Sequence, residues 1–128
     1  MSESIGSDGD PAIRVIAMPA DANPNGDIFG GWLMAQMDLA GASAAQRRAR
    51  GRVATVAVDS MSFHLPVHVG DEVSIYTRVI SVGRTSIRVF VEAWRRVRAA
   101  EMREKVTSAT FVFVAIDEDR RPRPVDSV

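Results

Sequence analysis

From Glu72 onward the chain alternates: Val73, Ile75, Thr77 and Val79 fall on one side of an extended segment, with Ser74, Tyr76 and Arg78 on the other. A period of two held over so many positions predicts a strand from Glu72 to Val82. Gly83 turns the chain, and from Arg84 to Arg96 the pattern returns, with Ile87, Val89, Val91 and Ala93 opposed to Ser86, Arg88 and Glu92. The loop Val97 to Arg103 leads to a further alternating segment, Lys105 to Ile116. Upstream, the Val- and Thr-rich segment from Arg52 to Phe63 predicts another strand, followed by a turn at Pro66 and Gly70-Asp71. Ile13 to Met18 predicts a short first strand stopped by Pro19. One region breaks the period: helix-forming apolar residues predict a helix from about Gly30 to Arg48, with Arg47, Arg48 and Arg50 at its negative end and Gly51 to close it.

One long helix among antiparallel strands defines an α+β chain. The sheet must cover its apolar face, and the helix is the only element available, so it should lie in the concave side of a curved sheet of about five strands. At 128 residues the chain supports one core rather than two. The expected organisation is a disordered Ser-, Gly- and Asp-rich tail over residues 1–12, a single domain over 13–118, and a loose end over 119–128 following a turn at Asp117 to Arg121.

The helix carries an acid amid apolar residues. At about 100° per residue, Gly31, Ala35, Gly41, Ala42 and Ala45 all lie within about 60° of Asp38, a stripe of small residues. Leu33, Met37 and Ala44 flank it on one side, Trp32 and Leu39 on the other, where they can pack on the sheet. Small residues let a backbone or a ligand approach closely. Asp38 within such a stripe reads either as a catalytic carboxylate or as a structural one satisfied by a neighbouring backbone or arginine. Gly30 and Gly31 begin the helix, where unpaired N–H groups can receive an anion or a developing oxyanion. Gly31 and Asp38 are two turns apart, roughly 10 Å along the axis. One helix therefore cannot make a compact site alone, and a symmetric partner would bring the two together.

Composition removes several alternatives. Cysteine is absent, which excludes disulfides, thiol nucleophiles and thiolate metal sites, and without a secretory leader the simplest compartment is the cytoplasm. Formal net charge is zero but uneven: residues 1–46 hold six acids and one base, residues 47–128 fifteen bases and ten acids. That balance does not mark a nucleic-acid binder, although the arginine-rich second part could hold a phosphorylated small molecule. The stretch from Trp32 to Ala45 is shorter than a membrane span requires. His64 and His68 lie around a Pro turn with no third ligand near, so no metal is expected. There is no G-x-S-x-G elbow, HExxH or phosphate loop.

Four ordered blocks, AMPADANPNGDIFGGWLMAQMDLAG, GRVATVAVDSMSF, VGDEVSIYTRVISVGRTSIRVFVEAW and VTSATFVFVAID, closely resemble the YciA-type acyl-CoA thioesterases of the hot-dog superfamily, from about Ile13 to Asp117. The resemblance implies a hot-dog fold and active sites at a dimer interface, often in trimers of dimers. It also implies hydrolysis of fatty acyl-CoA to free acid and coenzyme A with no further cofactor. It places the catalytic acid on Asp38 and the loop asparagine on Asn23, with Asn25 the near alternative. The oxyanion donor falls on the Gly30-Gly31 helix start, chiefly the Gly31 N–H. The turn from Val82 to Ser86 matches the segment that meets coenzyme A, making Arg84 a phosphate partner and Thr85 and Ser86 hydrogen-bonding ones. Met34, Leu33 and Phe63 would lie against the acyl chain. Relatives often carry a longer tail after the last strand, so weaker coenzyme binding is expected here.

Asp38 would then act as general base on a water or attack directly through an anhydride. Two other functions fit the same fold: a dehydratase, which would need a histidine such as His64 facing the acid, and a non-catalytic acyl-CoA-binding module.

Overall fold

The computed structural model describes residues 9–126. Its elements follow the expected order: β1 (Ile13–Ile16), a 3-10 turn at Pro19–Asp21, α1 (Gly30–Ala49), β2 (Val53–Val58), β3 (Glu72–Val82), β4 (Ser86–Arg96) and β5 (Glu104–Ala115). The strands form one antiparallel sheet in the order β1-β3-β4-β5-β2. The sheet curls around α1, the α+β arrangement that the pattern required. The expected N-terminal tail lies mostly outside the described residues.

The core forms where the inward rows of the sheet meet the helix. Ile75 pairs with Ala93, Val91 with Ala109, Val89 with Phe111 and Ile87 with Phe113, and all but Ala109 are essentially inaccessible to solvent. Leu33, Met37, Ala40, Gly41 and Ala45 of α1 press onto these rows. Gly41 explains the close seating: a Cβ there would stand 3.1 Å from the Phe113 ring and 3.3 Å from Val91. The small stripe therefore divides. Gly41 and Ala45 belong to the core, whereas Gly31 and Ala35 face outward. Trp32, half-buried, packs against the core as expected, whereas Leu39, also expected to pack on the sheet, is 60% exposed.

Three boundaries differ from expectation. The segment after the helix is a regular strand only as far as Val58; beyond it the chain runs on beside β5 with irregular bonding, Asp59 N–H donating to the Thr110 carbonyl and the Thr107 hydroxyl to the Ser62 carbonyl. His64 N–H still donates to the Val106 carbonyl there. The left-handed residue at the helix end is Arg50 (φ 57°) rather than Gly51. The end of the chain is not loose over 119–126. Arg123 N–H donates to the Ala115 carbonyl, Val125 N–H to the Arg84 carbonyl, and the Arg123 guanidinium to the Ala49 carbonyl, while Val125 is 2% exposed. An apolar anchor and three hydrogen bonds hold this strap across the helix end. The turn at Asp117 is as expected, its carboxylate accepting from the N–H groups of Asp119 and Arg121.

The outer face of the sheet is polar but well covered where β3, β4 and β5 meet. Glu92 is inaccessible and pairs with Lys105 at 3.0 Å, and Arg103 donates to the buried Tyr76 hydroxyl. Beside them Arg96 holds the carboxyl of Glu72 below the ordinary glutamate value; burial opposes this, and Arg14 and Arg103 reinforce it. A lowered folded-state value means that the stabilisation is present at neutral pH and is lost as pH falls below about 4.3, the unfolded value. The expected result is that stability to urea, followed from about pH 5 to pH 3, falls more steeply in the native protein than in Glu72→Gln. Parallel curves would show that Arg96 does not discriminate the charged form.

Candidate active site

The loop before α1 is built by Asn23. Its side-chain oxygen accepts the N–H groups of Asn25 (2.9 Å) and Asp27 (3.1 Å), and its own N–H donates to the Asp27 carbonyl. Gly26, at φ 87°, supplies the left-handed turn that lets the loop close. Asp27 also pairs with His68 Nδ1 at 3.1 Å, and Ile28 N–H donates to the Val67 carbonyl, so the loop is pinned to the segment before β3. His68 is thus a loop fastener, and His64 is exposed. With both lone pairs of Asn23 Oδ1 engaged, only its amide N–H groups remain to face a substrate. Asn25 is exposed and is held through its backbone.

The helix that follows has an open start. Phe29 at the cap position offers no side-chain acceptor, and the first turn holds no acid. The N–H groups of Gly30 and Gly31 have no acceptor among the described residues. A Cβ on Gly31 would meet nothing within 4 Å, so the approach to its N–H is clear. Donors with the positive end of a 20-residue helix behind them suit a developing negative oxygen.

Asp38 sits two turns along, half-buried, and its Oδ1 accepts a 2.6 Å hydrogen bond from the Thr55 hydroxyl. Thr55 gets there through register: it pairs with Phe113, whose ring faces Gly41, so it stands on the helix side of the sheet beside Asp38. The bond fixes one carboxylate oxygen and leaves the other available. Sequence reading missed Thr55, because a threonine in a Val-rich strand signals only strand propensity. Replacing it with valine, which keeps the shape, is expected to lower kcat about tenfold or more through a misdirected Asp38. Thr55→Ser should recover most of that loss, and a Thr55→Val enzyme with native kcat would dismiss the role.

An apolar cavity of about 220 Å³ adjoins the helix start, lined by residues including Phe29, Gly30, Leu33, Phe63, Leu65 and Val106. The Phe63 ring lies 3.4 Å from where a Gly30 Cβ would be. Met34 does not line this cavity and is 39% exposed on the open side of the helix. The turn around Arg84, Thr85 and Ser86 stands elsewhere. The Thr85 carbonyl accepts from Ala115 N–H and the Arg84 carbonyl from Val125 N–H, which puts the turn at the C-terminal end of α1. Within one chain it is therefore far from Gly31, roughly 27 Å along the axis from Gly31 to Ala49. Among the described residues no cluster of three or more His, Asp or Glu could hold a metal, and no helix is long and apolar enough to cross a membrane.

One helix thus carries an uncapped glycine start and a hydroxyl-oriented carboxylate, with an apolar cavity beside the start. The chain belongs to the thioesterase superfamily, whose family model matches residues 25–102. Its particular likeness is to the YciA acyl-CoA thioester hydrolases. It is 50% identical to YciA of Escherichia coli over 118 residues, covering 90% of this chain and 89% of that protein. An uncharacterized acyl-CoA thioester hydrolase of Zymomonas mobilis is 57% identical over 121 residues, 94% of this chain and 81% of that one. Among solved structures, the hexameric thioesterase y2039 from Yersinia pestis superposes with a TM-score of 0.88 at 48% identity, covering 94% of this chain and 98% of that one. HI0827, a hexameric broad specificity acyl-coenzyme A thioesterase, superposes with a TM-score of 0.87 at 49% identity, covering 94% and 84%. A hexameric hotdog fold thioesterase of Campylobacter jejuni is also similar, at a TM-score of 0.85, and the present fold is a hot-dog fold.

Proposed function

We propose that this protein hydrolyses acyl-CoA thioesters to free acid and coenzyme A at a site completed by a second copy of the chain. The observation that carries the reading is the unpaired Gly31 N–H at an open helix start, on the same helix as an Asp38 already oriented by Thr55. The two lie roughly 10 Å apart along the axis, too far to act on one carbonyl, so each needs its counterpart from another chain.

A second copy also suits the exposed surface. Strand β2 is an edge of the sheet, with Val56 57% exposed and Val58 36% exposed. Beside it on the helix Leu39 and Met34 are exposed as well. An unpaired edge rich in apolar residues invites antiparallel pairing with its own copy. On this reading β2 pairs with β2 across a two-fold axis, burying Leu39 and Val56. Three such dimers then assemble, as the hexameric relatives suggest.

In the reaction the thioester oxygen meets the Gly31 N–H and the Asn23 amide N–H, while the acyl tail enters the cavity between Leu33 and Phe63. Asp38 of the second copy removes a proton from water as the oxygen attacks the carbonyl carbon. The tetrahedral oxyanion collapses, the C–S bond breaks, and the proton returns to the departing sulfur. Arg84 and the turn residues Thr85 and Ser86 remain candidates for the coenzyme end.

Thiol release from a series of acyl-CoAs tests the activity, and a mixing experiment tests the shared site. Gly31→Val places a side chain in open space, where it blocks the N–H without a clash. Asp38→Asn removes the base. Each variant alone should be inactive, whereas mixed subunits regain about a quarter of native activity, because half the dimers are mixed and each has one intact site. No recovery after verified exchange would place both groups of each site in one chain.

A further inference from the structure

Strand β5 loses its alternation near its start. Its inward row, Phe113, Phe111, Ala109 and Thr107, pairs with Ile87, Val89, Val91 and Ala93, but Trp94 then pairs with Lys105. Two residues of β4 thus face three of β5, and Val106 is the extra one, a β-bulge. Strict alternation would send Val106 to the outer face of the sheet. Instead Val106 and Thr107, neighbours in sequence, are both inaccessible to solvent, and Val106 belongs to the core with Leu33 of α1. A bulge re-aims a side chain, and this one aims Val106 into the apolar cavity beside the helix start.

The bulge also holds a side wall of that cavity. His64 N–H donates to the Val106 carbonyl and the Thr107 hydroxyl to the Ser62 carbonyl, so Phe63 stands between two bonds to the bulged strand. Exposure falls from one end of the cavity to the other. Phe29 and Phe63 are exposed, Leu33 and Val67 are buried, and Val106 has no accessible surface. The open end therefore lies by Gly30 and the Phe63 ring, and Val106 is the floor. The space above that floor is small. Its 220 Å³ equals the liquid share of about seven waters at ~30 Å³ each, and a methylene is close to water in size, so roughly six to eight carbons fill it.

We infer that Val106 sets the acyl-length limit of this protein. A tail shorter than the cavity gains burial with each added methylene, whereas a tail that has reached the floor meets the Val106 side chain with the next one. The floor is firm, because the bulged backbone is tied on one side to β4 and on the other to the segment that carries Phe63. The inference rests on the acyl-CoA hydrolase reading above and adds to it the residue that selects among acyl-CoAs.

The test measures kcat/KM for straight-chain substrates from butanoyl-CoA to dodecanoyl-CoA in the native protein, Val106→Ala and Val106→Leu. In the native protein kcat/KM should rise to about eight carbons and fall beyond. Val106→Ala deepens the floor and should raise the ratio of decanoyl-CoA to butanoyl-CoA hydrolysis about tenfold. Val106→Leu lifts the floor by one methylene and should lower the same ratio about tenfold. A mere loss of stability lowers hydrolysis at every length alike and cannot move the ratio in opposite directions, so the two variants separate specificity from packing. Ratios that stay within about twofold of native, or that shift the same way in both variants, overturn the role of Val106 and leave the hydrolase reading intact. A native protein equally active at every length does the same. No thiol release from any of these acyl-CoAs by the native protein overturns the hydrolase reading, and the inference with it.

Discussion

Asp38→Asn is expected to lower kcat for thioester hydrolysis by about 10²- to 10⁴-fold, with KM changing little. The substitution is nearly isosteric, and an asparagine oxygen can still accept the Thr55 hydroxyl that now donates to Asp38 Oδ1 at 2.6 Å. The loss should therefore be one of proton acceptance rather than of fold. Asp38 is half-buried at the margin of the helix face that packs on the sheet, so the core beneath is not disturbed. Thiol release in single turnover, with size exclusion to confirm the assembly, makes the measurement. A kcat within about threefold of native would move the base elsewhere, since a general base contributes far more than that.

Phe113→Ala should have the largest effect on stability, about 3–5 kcal/mol. Phe113 is inaccessible to solvent, stacks on Phe111 with ring centroids 6.3 Å apart, and fills the notch that Gly41 leaves in α1. Neither the sheet nor a 20-residue helix can easily move in to fill the space, so most of the cavity would persist. A fall in Tm of roughly 10–20 °C is expected, measured at fixed protomer concentration because assembly adds its own stabilisation. The variant also tests the link to the site, since Thr55 pairs with Phe113. Loss of stability with kcat preserved below the transition would show that Thr55 is held by the ladder rather than by the ring. A loss under about 1 kcal/mol would mean that the helix is not seated on Phe113 as described.

Much of this architecture was legible in the chain. The alternation of Val73 to Val79 and of Ile87 to Ala93 marked β3 and β4, because a strand's side-chain period is fixed by covalent geometry and half of each strand must leave water. Gly30 and Gly31 at the helix start and the lone Asp38 stood out for a similar reason, since each is a local departure from what a buried helix prefers. Asn23 was identifiable only through family resemblance. That its carbonyl oxygen is consumed by Asn25 and Asp27, leaving the amide N–H groups as its offer, is a property of the folded loop.

The sequence by itself determined the period of each element, the number of strands, the covering helix and the family. All of these follow from local propensity, hydrophobic alternation and motif order, which do not depend on distant residues. The tertiary structure alone decided that Thr55 reaches Asp38, that Gly41 serves the core while Gly31 faces outward, and that the strap at Val125 gathers arginines into a cavity. These depend on strand register and on the angle at which the helix is seated. Residues 17 or 74 positions apart, such as Asp38 with Thr55 or Ala49 with Arg123, come into contact only when the whole sheet has formed, so no local pattern records them.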